Sequence, residues 1–245
     1  MGRRNASQRW LRFSEKLSAA TRSIIDAADI PVTGREARDT KVLAATPLIR
    51  TLSNFRGAIV LVRRKMVIEA RILVRNCYEN LLWIDGLVCK GDAFADAMLV
   101  GERRSIAGRG QYLLDSTLID DPTIEDKLRT QLRDIRQSLS QSRAFLNPKA
   151  VAVEGRLGQA YLIYSQLSAD AARPSLSALS RYIVRSEENG EVTWEIDAEP
   201  PAVEHDLDIT AAWVCSAMVG RVYRHQRVIA SCPRIRSYGG CLIST

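Results

Sequence analysis

The chain has 245 residues, of which 46% are hydrophobic and 26% charged, a balance that argues against wholesale disorder and is typical of a soluble globular protein. It has no run of about 18 uncharged apolar residues, which argues against a membrane span, and the charges spread through MGRRNASQRWLRFSEK argue against a secretory signal at its start. The net charge is +7, and residues 1–65 hold 14 Lys and Arg against 5 Asp and Glu, which fits either a surface for nucleic acid or anionic membrane or a set of solvated helix faces.

Apolar residues recur at steps of three and four along most of the chain, which predicts amphipathic helices. There is no internal repeat and no low-complexity linker, so the fold class expected is all-α, a multi-helix bundle. We predict a single helical domain over residues 1–232 and a flexible tail over 233–245. The predicted helices cover residues 6–28, 36–62, 66–90, 92–114, 122–145, 156–172, 174–179 and 208–230.

The segment MVIEARILVRNCYENLLWIDGLVCK, residues 66–90, is predicted to be the central helix. One side is a continuous apolar seam with alternating steps of three and four, and the opposite side is partly apolar as well. A helix that is apolar on two sides is normally surrounded by other elements. The seam residues are Val67, Ala70, Val74, Cys77, Leu81, Ile84 and Val88.

Two charged residues, Arg75 and Glu79, lie among the apolar residues of this helix. Their spacing of four lets the side chains meet, but Arg before Glu is the less favourable order in an isolated helix. Because an uncompensated buried charge costs roughly 3–5 kcal/mol, the pair needs partners. It is either a structural lock that holds two helices in register or an anion or RNA site in which Arg75 binds phosphate and Glu79 orients it.

A second polar patch is predicted near the end of the 156–172 helix. Tyr164 and Ser168 share a face, and Arg173 follows close to Pro174. These residues are either core packing with satisfied hydroxyl groups or part of a binding site with Arg75.

The 122–145 helix carries a row of arginines that includes Arg129, Arg133 and Arg136. Such a row is able to contact phosphates. The alternative is a solvated face whose arginines pair with acidic neighbours on the same helix.

Two further segments complete the prediction. NPKAVAVEG, residues 147–155, is interpreted as a loop with a short extended piece. Asn189–Gly190, flanked by RYIVRSE and EVTWEI, predicts a type I′ β-hairpin near residues 182–197. Since an isolated hairpin is marginal in water, it is expected to pack on the helices.

Common catalytic and cofactor motifs do not occur: GxGxxG, the P-loop, GxSxG and HExxH are all missing. The two histidines, His205 and His225, have no partner at metal-ligand spacing, so no metal and no cofactor are expected. The five cysteines include no C-x-x-C pair, which argues against a disulfide framework or zinc ribbon and favours a reducing, cytoplasmic location.

The segments ARILVRNCYENLLWIDGL and YLIYSQLSADAARPSLSAL resemble a bacterial family of helical proteins known only as a domain of unknown function. The resemblance covers roughly residues 40–225. Its hallmarks are an R-x-x-x-E helix, matched by Arg75 and Glu79, and a Tyr-x-x-x-Ser segment, matched by Tyr164 and Ser168. The family's following His-Pro-Ser is matched by Arg173-Pro174-Ser175, so the resemblance implies that Arg173 replaces the histidine.

That family is similar in outline to HEPN-type helical domains, some of which are metal-independent RNases with an R-x4-6-H motif. Arg221 and His225 have only three residues between them, so an RNase carrying that motif is disfavoured. If the family histidine is catalytic, the resemblance implies an inactive member or one in which Arg173 only binds phosphate.

The sequence therefore favours a non-catalytic interaction or sensing module that binds a protein partner or associates with itself. The alternative is a nucleic-acid-directed, HEPN-like protein that binds RNA or DNA or is a degenerate RNase. That alternative requires Arg75, Glu79, Tyr164 and Arg173 to converge in an open cleft within reach of the arginine row.

Overall fold

The computed structural model describes residues 6–27, 34–116, 118–139, 146–155, 157–169, 175–188, 190–196 and 204–229. The predicted all-α class with one small hairpin is confirmed, and the predicted tail, residues 233–245, lies outside the described residues. The helices are α1 (Ala6–Asp26), α2 (Thr40–Arg63), α3 (Val67–Lys90), α4 (Asp92–Asp115), α5 (Pro122–Leu139), α6 (Pro148–Glu154), α7 (Gly158–Leu167), α8 (Leu176–Leu179) and α9 (Glu204–Ile229). The strands are β1 (Ile183–Glu188) and β2 (Glu191–Ile196).

Helix α3 is the centre of the fold, as its two apolar sides predict. It packs against α2, α4, α6, α7 and α9, and most of its apolar side chains are buried. It ends at Gly91, whose φ of +55° is a backbone conformation that favours glycine. These five helices therefore surround α3.

Helix α2 packs along α3 and runs without a break through Pro47, so the proline does not split it. Its first turn is capped by Asp39, whose side chain accepts a hydrogen bond from the main-chain N–H of Lys41 at 2.8 Å. Helix α1 packs against both α2 and α9. Helix α1 therefore covers one side of the core.

The segment predicted as a loop, residues 147–155, instead contains helix α6. The main-chain N–H of Ala150 donates to Oδ1 of Asn147 at 2.8 Å, and Pro148 occupies the first turn. An asparagine cap followed by proline is a helix start signal. The interpretation was wrong because seven residues are too few to show a helical period, whereas burial of Val151 and Ala152 beside α3 stabilises the turn.

Helices α4 and α5 form an antiparallel pair that packs closely at one point. A Cβ built on Gly110 of α4 would lie 2.7 Å from Cδ2 of Leu132, the buried leucine of α5. With any larger residue at position 110, the Leu132 side chain would have to shift. Most of the other α5 side chains are exposed, so α5 lies at the periphery of the bundle.

Strands β1 and β2 pair antiparallel with a two-residue connection, as predicted, and Gly190 has a φ of +84°. Within the described residues, the hairpin does not show the expected close packing on the helices. Nearly every strand residue is exposed, including Trp194 at 65% and Ile196 at 88%. The alternation of polar and apolar residues along the strands predicts that one face of the hairpin is apolar. It does not predict which element packs on that face.

Candidate functional site

Four of the predicted site residues lie together where α3 packs against α7. Arg75 and Glu79 are one turn apart on α3, while Tyr164 lies in the last turns of α7 and Ser168 caps its C-terminal end. Residues four positions apart lie on the same face of a helix. Each helix therefore contributes two polar side chains to one seam between them.

The guanidinium of Arg75 is the hub of this cluster. Its Nε donates to Oγ of Ser168 at 3.0 Å, and its Nη2 donates to Oη of Tyr164 at 2.9 Å. Its Nη1 donates to Oε2 of Glu79 at 2.9 Å and to Oδ1 of Asn76 at 3.2 Å. The guanidinium carbon also lies 4.9 Å from the centre of the Tyr164 ring, a cation–π contact.

Burial of the cluster is partial. The side chain of Arg75 is 20% exposed and that of Glu79 30% exposed. The four hydrogen bonds use four of the five N–H donors of the guanidinium. A phosphate would have to displace at least one of these four partners to gain two donors from Arg75, so this geometry favours the structural lock over an anion site.

Replacing Arg75 with alanine is expected to lower the free energy of unfolding by about 1–2 kcal/mol, because the Tyr164 and Ser168 hydroxyls lose a charged partner in a half-buried seam. Arg75→Lys should recover little of this loss, since an ammonium cannot reproduce the planar fork. Urea denaturation measures both variants.

The matched control for this test is Arg109→Ala. Arg109 is an exposed arginine of α4 that donates to Oγ of Ser105 on its own helix at 2.8 Å. Its removal should change stability by less than about 0.5 kcal/mol. An Arg75→Ala variant as stable as Arg109→Ala would contradict the lock.

Four predicted site residues remain. Arg173 lies outside the described residues. Arg129, Arg133 and Arg136 line an open groove between α4 and α5, whereas the Arg75 cluster belongs to the contact between α3 and α7. The described structure thus forms two separate polar sites.

Another arginine of α3, Arg71, lies one turn before Arg75 and was not predicted as a site residue. Its side chain is 3% exposed. Its Nε donates to Oγ1 of Thr210 at 3.0 Å, and its Nη2 donates to Oδ1 of Asp206 at 2.9 Å. The guanidinium carbon lies 5.3 Å from the ring centre of Trp213. The sequence feature that could have identified Arg71 is its position four residues before Arg75 in the same apolar segment.

Asp85, near the end of α3, is also buried and was not predicted. It is fully inaccessible to solvent, and the thiol of Cys89 donates to its Oδ1 at 3.8 Å. A Cβ on Gly155, at the end of α6, would lie 2.2 Å from its Oδ2. The backbone of Gly155 therefore lies directly against the buried carboxylate of Asp85.

Metal-ligating side chains do not cluster in the part of the chain that the structure describes: no three or more His, Cys, Asp or Glu come close enough to hold an ion. His205 is exposed at the start of α9, and the side chain of His225 lies outside the description. None of the described helices is both long and apolar enough to span a membrane.

Comparison with known proteins gives one match. The model of a family of unknown function, DUF5677, matches residues 42–191, which is more than half of the chain. This range includes α3 with the Arg75 cluster, α7, the α4–α5 groove and β1, and it ends at Glu191, the first residue of β2. No curated protein and no solved structure matches the chain significantly.

Proposed function

The chain belongs to this family of unknown function, and we propose that it is a non-catalytic interaction module that associates with a second copy of itself through the exposed β-hairpin. The observation that carries the proposal is the apolar face of that hairpin. Cross-strand partners share a face, and the pairing register puts six side chains on this one. They are Ile183, Arg185, Glu187, Val192, Trp194 and Ile196.

Four of these six side chains are large and apolar, and they are 43–88% exposed. An isolated two-stranded hairpin is marginal in water. A contiguous exposed apolar patch rimmed by polar groups is typical of an interaction surface. Trp194, which is 65% exposed beside Arg185, supplies the residue types that dominate binding energy in interfaces.

The charges on the same face favour a second copy as the occupant. Arg185 and Glu187 are joined by an exposed ion pair of 2.9 Å. Around a two-fold axis, Arg185 of one copy can approach Glu187 of the other while the apolar side chains meet. Six side chains per copy are fewer than the roughly 20–30 of a standard interface, so the dimer is expected to be weak.

The test is sedimentation velocity over a concentration series in the micromolar range. The wild-type chain should show reversible association, and Trp194→Ala should stay monomeric at every concentration. Tyr112→Ala is the matched control, because Tyr112 is an aromatic residue of α4 that is 70% exposed. It should associate like the wild type.

A charge exchange tests the two-fold arrangement. Arg185→Glu alone and Glu187→Arg alone should each weaken association, and mixing the two variants should restore it as a heterodimer. A wild-type chain that is monomeric throughout, or a loss of association in Tyr112→Ala as large as in Trp194→Ala, would refute the proposal.

The alternative, a nucleic-acid-directed HEPN-like protein, has less support. It needs Arg75 to present free donors in a cleft that the α5 arginines reach. Four of the five Arg75 donors instead bind protein groups, and the arginines line a separate groove. The HEPN resemblance and the replacement of a family histidine by Arg173 stay predictions.

A cytoplasmic location is part of the proposal. Its support is the state of the described cysteines: Cys77, Cys89 and Cys215 are free thiols. Free thiols are typical of a reducing compartment.

A further inference from the structure

The groove between α4 and α5 has the size and lining of a small-ligand site. Its volume is about 490 Å³, within the range of roughly 300–1,000 Å³ found for ligand pockets. Helix α5 contributes Arg129, Arg133 and Arg136, and α4 contributes Gln111. The buried Leu132 forms part of the apolar floor.

The local sequence explains why three arginines border one groove. Positions 129, 133 and 136 are separated by four and three residues, so their side chains point the same way from α5. Leu132 anchors that side of α5 against Gly110, where a Cβ would lie 2.7 Å from the leucine side chain. The close approach holds the row of guanidinium groups beside α4.

The arginines are available to an incoming anion. Arg133 is exposed, and its guanidinium takes part in no hydrogen bond or ion pair among the described residues. Arg129 donates to Oε1 of Glu125 at 2.9 Å, and Arg136 donates to Oε1 of Gln111. Exposed contacts of this kind contribute little free energy, so a doubly charged ligand can replace them.

We propose that this groove binds a small molecule that carries phosphate, of the nucleotide class. Guanidinium groups bind phosphate through paired, charge-assisted hydrogen bonds. The partly exposed Leu114 offers an apolar surface to the rest of such a ligand, and the amides of Gln111 and Gln137 supply donors and acceptors at the groove. The site is independent of the hairpin.

Charge distribution favours a small ligand over a nucleic acid. Residues 92–139, which include both helices, hold seven Lys and Arg against nine Asp and Glu. A long polyanion would meet those carboxylates along its length, and each one repels it. A ligand confined to the groove meets mainly the three guanidinium groups.

The test uses isothermal titration calorimetry with adenosine diphosphate, inorganic pyrophosphate and adenosine, each at the same ionic strength. The diphosphate and pyrophosphate should bind and adenosine should not. Arg133→Gln should weaken both phosphate ligands about tenfold or more, as expected for losing a charge-assisted hydrogen bond. Arg109→Gln is the matched control, because it removes an exposed α4 arginine that does not line the groove.

The proposal is supported if the wild-type chain binds either phosphate ligand, Arg133→Gln loses that binding and Arg109→Gln keeps it. The ratio of the affinity for adenosine diphosphate to that for pyrophosphate then distinguishes a nucleotide from a free phosphate as the ligand. Three results with the small ligands would overturn the proposal: no binding of either phosphate ligand, adenosine binding as tightly as the diphosphate, or equal losses of affinity in the two variants. A labelled single-stranded RNA forms the last arm. If the RNA binds more tightly than the diphosphate and needs Arg133, the groove serves a nucleic acid instead.

Discussion

Replacement of Arg71 with alanine is expected to lower the free energy of unfolding by about 3 kcal/mol. The side chain is 3% exposed and joins α3 to α9 through Thr210 and Asp206. Thr210 is fully buried, so its hydroxyl would lose this partner. The aliphatic stem and the stacking on Trp213 would be lost too, which leaves a cavity at the helix contact.

Arg22→Ala is the control for Arg71→Ala in urea denaturation. Arg22 also pairs with an aspartate, Asp26 at 2.9 Å, but both side chains are more than half exposed. Such a pair contributes about 0.3–0.5 kcal/mol within a helix. If the two variants lost equal stability, the buried link between α3 and α9 would have no special importance.

Stability above pH 10 is expected to fall because of Tyr78. This residue of α3 is 2% exposed, and its hydroxyl lies 2.5 Å from Oγ of Ser216 on α9. Burial raises the pKa of Tyr78 to about 12, although the hydrogen bond with Ser216 acts in the opposite direction. An unfolded tyrosine has a pKa of about 10.

The sign follows from proton release. Between about pH 10 and pH 12 the unfolded chain loses the phenol proton and the folded chain keeps it, so rising pH favours unfolding. The contribution of Tyr78 to the free energy of unfolding is therefore fully present below pH 10, and about 2–3 kcal/mol of stability is lost by pH 12. Tyr78→Phe lacks the ionisable group, so its stability should fall less over this window.

Urea denaturation at a series of pH values compares the slopes of the two proteins. The Tyr112→Phe variant, which changes an exposed tyrosine, serves as the control and should follow the wild type. Parallel curves for wild type and Tyr78→Phe between pH 10 and pH 12 would contradict the role given to Tyr78.

If both proposals hold, the protein combines two surfaces around one core. The hairpin would join two copies, and the α4–α5 groove would receive a phosphorylated ligand. The Arg71 and Arg75 links would keep α9 and α7 on α3, and so hold the scaffold in one arrangement. Each surface has its own variant, Trp194→Ala or Arg133→Gln, so the failure of one proposal is distinguishable from the failure of the other.

Local patterns in the sequence were sufficient for the helices and the turn. The alternating steps of three and four in residues 66–90 predicted the central helix, and Asn189–Gly190 predicted the hairpin. The pattern was insufficient for α6, where seven residues give less than two full turns of helical period. Asn147 and Pro148 do form a helix start signal there, but the packing of α6 against α3, which stabilises this short helix, is not visible in the sequence.

What the sequence by itself determined is the set of helices other than α6, the central place of α3 and the need of Arg75 and Glu79 for partners, because these follow from neighbours three and four residues apart. Tertiary structure alone decided which groups satisfy that need. Arg75 binds Ser168, 93 positions away, and Arg71 binds Thr210, 139 positions away. Contacts across such distances depend on how whole helix faces pack, and no local spacing encodes them. For the same physical reason, only the fold revealed that the side chains of the described hairpin face are exposed and that α4 borders the arginine row of α5.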